Sequence, residues 1–172
     1  VFDADSESKS LLTDPKIRSE VVHLLGPSAY LPSGEPDRQW IASAIFPDAR
    51  LLEQVNGILH PAVLEKFNTW IDEHHAAPLI FKEAAIMFES GSHRHLDLVV
   101  GVKAPESLRI KRVMQRDGKT EQAVRNIMKR QLPQDEMAKK CQELLVNDEQ
   151  TPLLPQILAL VGKLLTYKSN LK

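Results

Sequence analysis

The sequence predicts an α/β fold in which a parallel sheet is covered by helices on both faces. Short apolar runs rich in β-forming residues recur along the chain, and segments with helical periodicity lie between and after them. Strands that alternate with helices form parallel sheets, and the crossover connections between such strands are right-handed. The four predicted strands are residues 1–3 (VFD), 78–85 (PLIFKEAA), 96–103 (LDLVVGVK) and 143–147 (ELLVN).

The first half of the chain is predicted to be mainly helical. Asp14 and Pro15 read as an N-cap followed by proline at the first helical position, and Gly26 ends this helix. Residues 26–37 (GPSAYLPSGEPD) contain three prolines and two glycines and therefore predict a loop. Helical patterns resume in DRQWIASAIF, DARLLEQVNGIL and HPAVLEKFNTWIDEHH, and Pro61 predicts the start of the last of these helices.

The second half adds four more helices between and after the strands. PESLRIKRVMQRDG begins at Pro105 and ends at Gly118, and TEQAVRNIMKRQ has Thr120 as its N-cap. PQDEMAKKCQ follows, and Thr151 with Pro152 opens the final helix, TPLLPQILALVGKLL.

Bulk composition limits the function classes. A chain of 172 residues predicts a single domain, residues 1–172, and its net charge of -1 gives no global field toward nucleic acid or an anionic membrane. The single cysteine, Cys141, allows neither an internal disulfide nor a zinc site of paired thiols, which suits a reducing cytosol. The longest apolar stretch, residues 153–165, is too short and too interrupted to cross a bilayer. We therefore expect a cytoplasmic protein without nucleic-acid or membrane partners.

Asp3 and Asp5 are candidate catalytic residues at the end of the first predicted strand. Open α/β sheets bind their ligands at the carboxyl ends of the strands, where either carboxylate could act as a general base. The alternative is that one of the two caps a helix that starts near Ser6. An isolated Asp-x-Asp pattern does not separate these interpretations.

Arg109, Arg112 and Arg116 follow i, i+3, i+7 spacing and share one face of a predicted helix. Guanidinium groups bind phosphate oxygens in pairs and can neutralise charge that builds on a transferring phosphoryl group. The alternative is a solvated basic face offset by the neighbouring Glu106 and Asp117.

His60 is the histidine that we consider for ligand binding. It precedes Pro61 at a predicted helix start, where backbone N–H groups and an imidazole could meet an anionic ligand. The residues alone favour the alternative, a structural histidine at a helix start. The other histidines lack a carboxylate-rich companion motif, so no metal site is predicted from them.

The motifs taken together resemble the dephospho-CoA kinase family, a group of P-loop kinases. The resemblance covers the chain from end to end in DADSESKSLL, SGEPDRQWIASAIF, GILHPAV, EAAIMFESG, LVVGVKAPESLRIKRVMQRDG and RQLPQDE followed by LLVNDEQ. The chain departs from the family where AAIMFE replaces a proline-leucine-leucine version and where Gln142 and Glu143 replace an alanine-aspartate pair. The resemblance implies a three-layer P-loop-kinase-like fold with a helical substrate-binding region and a lid.

The resemblance also implies the reaction, which is transfer of the ATP γ-phosphoryl group to the 3'-hydroxyl of dephospho-CoA, the last step of coenzyme A synthesis. Asp5 would orient and deprotonate that hydroxyl, and Asp3 would support it or a magnesium-bound water. Asp37, Arg38 and His60 would contact the acceptor in the helical region.

On the donor side, the resemblance implies ATP as substrate and Mg²⁺ as its companion ion. Arg112 would stabilise charge in the transition state, and Arg109 and Arg116 would belong to a lid that closes over ATP. The expected partners are small molecules, and the protein would be a monomer or a weak homo-oligomer.

Family membership would place one more segment before Val1. The strand that Val1 opens is the second strand in that family, after a first strand and a glycine-rich phosphate loop of the form GxxxxGKS or GxxxxGKT. That motif does not occur in the 172 residues, so we expect it upstream and expect residues 1–172 alone to be inactive and less stable. Two alternatives stay open at this point, another small-molecule or nucleotide kinase of the same fold and a non-catalytic binder of a CoA-like ligand.

Overall fold

The computed structural model describes residues 1–170, with side chains described as far as residue 166. The chain forms two compact units, Val1–Ala84 and Ala85–Lys172. The strands are β1 (Phe2–Asp3), β2 (Lys82–Glu83), β3 (Val100–Lys103) and β4 (Glu143–Val146). The α-helices are α1 (Ala4–Leu11), α2 (Pro15–Leu25), α3 (Arg38–Ile45), α4 (Ala49–Glu73), α5 (Glu106–Asp117), α6 (Glu121–Met128), α7 (Gln134–Lys140) and α8 (Leu153–Asn170).

Strands β1 and β2 form a parallel pair in the first unit, as predicted. Phe2 lies opposite Lys82 and Asp3 lies opposite Glu83. The predicted strand over residues 78–85 was too long, because a ladder extends only as far as its partner and β1 offers two residues. Helix α4 packs against this pair, with the Phe2 ring centroid 5.0 Å from that of Phe67.

The first unit buries its core between helices α2, α3 and α4. Each helix contributes apolar side chains to this core, and so does the segment around the short 3₁₀ turn Pro27–Ala29, which lies inside the predicted loop. They are Leu12, Ile17, Val21, Ala29, Tyr30, Ile41, Ile45 and Val55. Tyr30 also donates from its hydroxyl to the carbonyl oxygen of Leu12 over 2.8 Å, which satisfies the polar end of a buried ring. Asp14 caps α2 and Gly26 ends it, as predicted.

Helix α4 corrects one prediction. Pro61 was expected to begin a new helix, but α4 runs without a break from Ala49 to Glu73 and Pro61 lies in its interior. Proline there removes one i to i−4 hydrogen bond and crowds the preceding turn. Val55 before Pro61 and Val63 and Phe67 after it are all buried, so tertiary packing holds both halves of the helix.

Strands β3 and β4 form the second parallel pair, in register from Val100 opposite Glu143 to Lys103 opposite Val146. The predicted strand over 96–103 shortens at its start, since β4 supplies four residues. Helix α7 packs on β3, and α8 packs on β4. At Gly101 a Cβ atom would stand 2.8 Å from side-chain atoms of Met137, Cys141 and Leu144, so no side chain fits there without moving them.

The helix boundaries of the second unit follow their sequence signals. The Thr120 side chain accepts a hydrogen bond from the backbone N–H of Ala123 and caps α6. Gly118 ends α5 at a φ of +65°, in the left-handed region that favours glycine. The predicted helix ends at these two residues are confirmed.

Helix α8 is fixed to β4 at its first turns. The Gln156 side chain accepts from the backbone N–H of Val146 over 2.8 Å and donates to its carbonyl oxygen over 3.0 Å. The helix also exposes large apolar side chains, namely Leu154, Ile157, Leu158, Val161 and Leu165. Among the residues that the structure describes, no helix is both long and apolar enough to cross a membrane.

Candidate active site

Asp3 and Asp5 lie where β1 turns into α1, but they have different surroundings. The Asp3 carboxylate accepts from the Ser6 backbone N–H at 2.9 Å and from the Ser6 hydroxyl at 2.6 Å, so it is the N-cap of α1. These hydrogen bonds from Ser6 hold the pKa of Asp3 below its ordinary value. Asp5 is the second residue of α1 and is half-buried. The capping alternative therefore describes Asp3, and Asp5 is the better candidate for a general base.

His60 lies in the middle of α4, so the expectation of a helix start at this residue is wrong. Its backbone N–H belongs to a continuous helix and is not one of the unpaired groups of a helix N-terminus. Burial, and to a smaller degree the positive charge of Lys82, lower the pKa of His60 below 6.5. The imidazole is therefore uncharged at neutral pH and can either accept or donate a hydrogen bond.

Lys82 is a partly buried lysine near His60 that the sequence analysis did not single out. It lies on β2 with its ammonium nitrogen 4.4 Å from the ring centroid of Phe67, and burial lowers the pKa of this amine. The available signal was a single lysine inside the apolar run PLIFKEAA. Among the predicted site residues, Lys82 affects His60: its positive charge lowers the pKa of the imidazole.

Asp37 and Arg38 begin α3. The Asp37 carboxylate accepts from the Trp40 backbone N–H at 2.9 Å and caps the helix. Arg38 is exposed, and one of its terminal nitrogens lies 3.5 Å from the carbonyl oxygen of Lys9 on α1. Arg38 thus reaches the helix that carries Asp5, whereas Asp37 has a structural role.

The first unit also contains an open groove of about 770 Å³ between α1, the start of α2 and α4. Lys66 of α4 and Glu7 of α1 form an ion pair of 2.5 Å in this groove, and hydrogen bonding to Lys66 lowers the pKa of Glu7. The groove lining includes Phe2 and Trp70 but none of the residues predicted to contact the acceptor.

Arg112 on α5 is held by the segment that follows β4. One terminal nitrogen donates to the Asn147 carbonyl oxygen at 3.1 Å, and the other donates to the Asn147 side-chain oxygen and to the Glu149 carboxylate, each at 3.2 Å. Asn147 and Glu149 were not singled out from the sequence. Contacts between residues so far apart along the chain leave no local pattern.

Arg116, one turn further along α5, pairs with the adjacent carboxylate of Asp117. The Arg116 Nε atom lies 2.7 Å from one carboxylate oxygen, and Lys119 reaches the other oxygen over 3.1 Å. Hydrogen bonds from both cations hold the pKa of Asp117 far below its ordinary value. Asp117 therefore offsets the positive charge of Arg116, as the alternative interpretation of a solvated basic face predicted.

Arg109 faces a different region, a pocket of about 560 Å³ between α5, α6 and α7. Its Nε atom is buried without a hydrogen-bond partner among the residues that the structure describes. Arg125 also lines the pocket and pairs with Glu106 at 2.6 Å, which ties α6 to the first turn of α5. The three arginines thus share one helix but have three sets of neighbours.

No group of three or more His, Cys, Asp or Glu residues suited to a metal ion exists within the part of the chain that is described.

Comparison with known proteins decides the family. The sequence profile of dephospho-CoA kinases matches residues 1–152 of this chain. The chain belongs to the dephospho-CoA kinase family. A dephospho-CoA kinase of Bacteroides fragilis is 34% identical over 94% of this chain and 79% of its own length. The dephospho-CoA kinase of Porphyromonas gingivalis is 36% identical over 99% of this chain and 84% of its own length.

Two solved structures share the fold of this chain. A crystal structure of a Thermus thermophilus protein is 26% identical and superposes with a TM-score of 0.81, covering 96% of this chain and 83% of that one. The dephospho-CoA kinase of Campylobacter jejuni, at 19% identity, shares the fold with a TM-score of 0.63 over 99% of this chain and 86% of its own. The α/β fold with parallel strands flanked by helices is that of dephospho-CoA kinases.

Proposed function

We propose that this protein transfers the γ-phosphoryl group of ATP to the 3'-hydroxyl of dephospho-CoA. The observation that carries the proposal is the match to dephospho-CoA kinases along nearly the whole chain, at 34% identity and above for the relatives described. Two local arrangements support it. A carboxylate follows a short parallel strand at Asp5, and a helix that follows another strand carries three arginines.

In the proposed reaction Asp5 orients the 3'-hydroxyl and accepts its proton as the oxygen attacks the γ-phosphorus. Its place in the first turn of α1 suits this role, because the turn fixes the carboxylate relative to β1. Asp3 supports the turn by capping α1. Asp37, Arg38 and the uncharged His60 are the proposed contacts of the acceptor, and Asp37 also caps α3.

On the donor side, Arg112 stabilises the negative charge that develops on the transferring phosphoryl group. Arg109 and Arg116 belong to the lid formed by α5 and α6, and Gly118 lies at the turn between these helices. Arg116 donates two hydrogen bonds to the Asp117 carboxylate, which therefore competes with the phosphates of ATP for this side chain. Residues 1–172 remain, in this proposal, part of a single dephospho-CoA-kinase-like domain.

Mg²⁺ is part of the proposal because ATP is the proposed phosphoryl donor of this protein. This ion takes one or two carboxylates together with phosphate oxygens and water, so a site of few protein ligands is compatible with the described residues. Asp3 would hold it through a water molecule. When bound, it neutralises charge on the β- and γ-phosphates. We also propose a cytoplasmic monomer or weak homo-oligomer.

A coupled assay of ADP release tests the function in the protein expressed from its own start codon. Turnover should require both ATP and dephospho-CoA, and coenzyme A, which already carries the 3'-phosphate, should not replace dephospho-CoA. Adenosine, pantetheine phosphate and nucleoside monophosphates serve as alternative acceptors. Faster turnover with one of them would favour a different small-molecule kinase, and ligand binding without turnover would favour a non-catalytic binder.

A further inference from the structure

Glu149 has a backbone conformation that its side chain does not favour. Its φ is +66°, and it is the one non-glycine residue with positive φ among the residues that the structure describes. For a residue with a Cβ atom the left-handed region costs free energy, and such conformations concentrate where function requires them. Glycine would occupy this position without strain.

The surrounding contacts fix this conformation. The Asp148 carboxylate accepts from the backbone N–H groups of Gln150 and Thr151 at 3.0 and 2.7 Å, which closes a tight turn around Glu149. On the other side, Gln156 of α8 binds the N–H and carbonyl groups of Val146. The segment from Val146 to Thr151 is thus held at both ends.

The turn directs the Glu149 carboxylate to Arg112, where one oxygen lies 3.2 Å from a terminal guanidinium nitrogen. Asn147 supplies two further acceptors from its backbone and side chain. A guanidinium has five N–H donors. The three acceptors described here use three of them, so two N–H groups stay available to a ligand.

We propose that Glu149 is a positioning residue that holds the Arg112 guanidinium in the orientation used for phosphoryl transfer. The inference rests on the proposed function, because Arg112 acts there on the transferring group. A carboxylate is needed in this position because the two Asn147 acceptors are uncharged, whereas a charged acceptor binds guanidinium more strongly. The strained turn is the structural requirement for bringing that carboxylate to α5.

Two variants and a control test the inference. Glu149→Gly removes the carboxylate and adopts the positive φ without strain, so the protein should unfold at the same or a higher temperature. Its kcat should fall about three- to tenfold, with the KM for dephospho-CoA unchanged. Glu149→Gln keeps an uncharged acceptor, so its kcat should lie between that of Glu149→Gly and that of the wild type. Glu143→Gln, which removes the carboxylate paired with Lys163 on the same unit, should keep the wild-type kcat.

A double-mutant cycle shows whether Glu149 acts through Arg112. Arg112→Ala alone should lower kcat by about 10²-fold, and adding Glu149→Gly to it should then change kcat by less than about twofold. An equal effect of Glu149→Gly in both backgrounds, or a wild-type kcat in Glu149→Gly alone, would overturn the inference.

A measurement without turnover separates this inference from the proposed function. Nuclear magnetic resonance of the Arg112 guanidinium, assigned with Arg112→Lys, should show slow rotation of the group in the wild type and faster rotation in Glu149→Gly. Equal rotation in both proteins would refute the positioning role even if the kinase assay succeeds. Slow rotation in a protein that lacks kinase activity would support the positioning of Arg112 and reject the proposed reaction.

Discussion

Asp3 and Asp5 are separated by one residue and differ in what holds them. Both carboxylate oxygens of Asp3 accept hydrogen bonds from Ser6, and Asp5 follows in the first turn of α1. Because the cap orders the turn, Asp5 presents its carboxylate from a fixed backbone. This single turn accounts for the capping role of Asp3 and supports the catalytic role that we propose for Asp5.

We expect Asp5→Asn to lower kcat about 10²-fold or more in the coupled ADP-release assay, since an amide cannot accept the hydroxyl proton. The substitution preserves shape, so the unfolding temperature should change little. Asp72→Asn, on the exposed surface of α4, is the matched control and should keep full activity. A wild-type kcat in Asp5→Asn would exclude Asp5 as the base.

His60 predicts a pH dependence of stability. Its pKa in the folded protein lies below the ordinary 6.5, so the unfolded chain binds more protons as the pH falls through that value. Stability should therefore be greatest above that pH and decline from about pH 7 toward about pH 5. Urea unfolding across this range should show a smaller decline in His60→Gln than in the wild type. Identical declines would show that His60 is not the responsible group.

At the scale of secondary-structure elements, two glycines predict opposite effects of the same substitution. Gly57 lies inside α4 with open space around its Cβ position, whereas Gly118 ends α5 at positive φ. Gly57→Ala should raise the free energy of unfolding by about 0.5–1 kcal/mol, and Gly118→Ala should lower it by about 1 kcal/mol. Chemical denaturation measures both. A stabilising Gly118→Ala would contradict the left-handed helix end.

Helix ends were predictable because their causes are local. Asp14 with Pro15, Thr120 and Gly118 act on backbone groups within a few residues, so the sequence alone indicated them. Pro61 misled the prediction because its local preference for a helix start is outweighed by the burial of apolar side chains in both halves of α4. Packing of this kind depends on residues distant in sequence.

Strand lengths show the same limit. The apolar runs at 78–85 and 96–103 were correctly identified as parallel strands, but each forms a ladder only where its partner strand is present. Composition therefore indicated which segments pair and could not indicate how many residues do so.

For the molecule as a whole, ligand binding should be visible as stabilisation. ATP with Mg²⁺ and dephospho-CoA should each raise the unfolding temperature of the protein expressed from its own start codon, because each binds the folded state. At about 100 times its dissociation constant a ligand adds about 2.7 kcal/mol. Scanning calorimetry with adenosine as a weak-binding control measures the shift. No shift with dephospho-CoA would contradict the proposed acceptor.

The candidate site was only partly predictable at this scale. Sequence motifs indicated Asp3, Asp5 and the arginines of α5 as candidates, since each group lies within a short stretch of the chain. The contact between Arg112 and Glu149 joins residues 37 positions apart and depends on a strained turn that no residue preference indicates. The effect of Lys82 on His60 likewise arises only when β2 packs near α4.

The close approach at Gly101 carries a consequence for how this protein can vary. Any residue with a Cβ atom at this position would displace the side chains of Met137, Cys141 and Leu144. Glycine is therefore the residue that fits there without rearrangement. In a saturation library selected for growth at elevated temperature, codon 101 should return glycine, while codon 57 should return many residues. Heat-sensitive alleles are accordingly expected to gather where β3 meets α7.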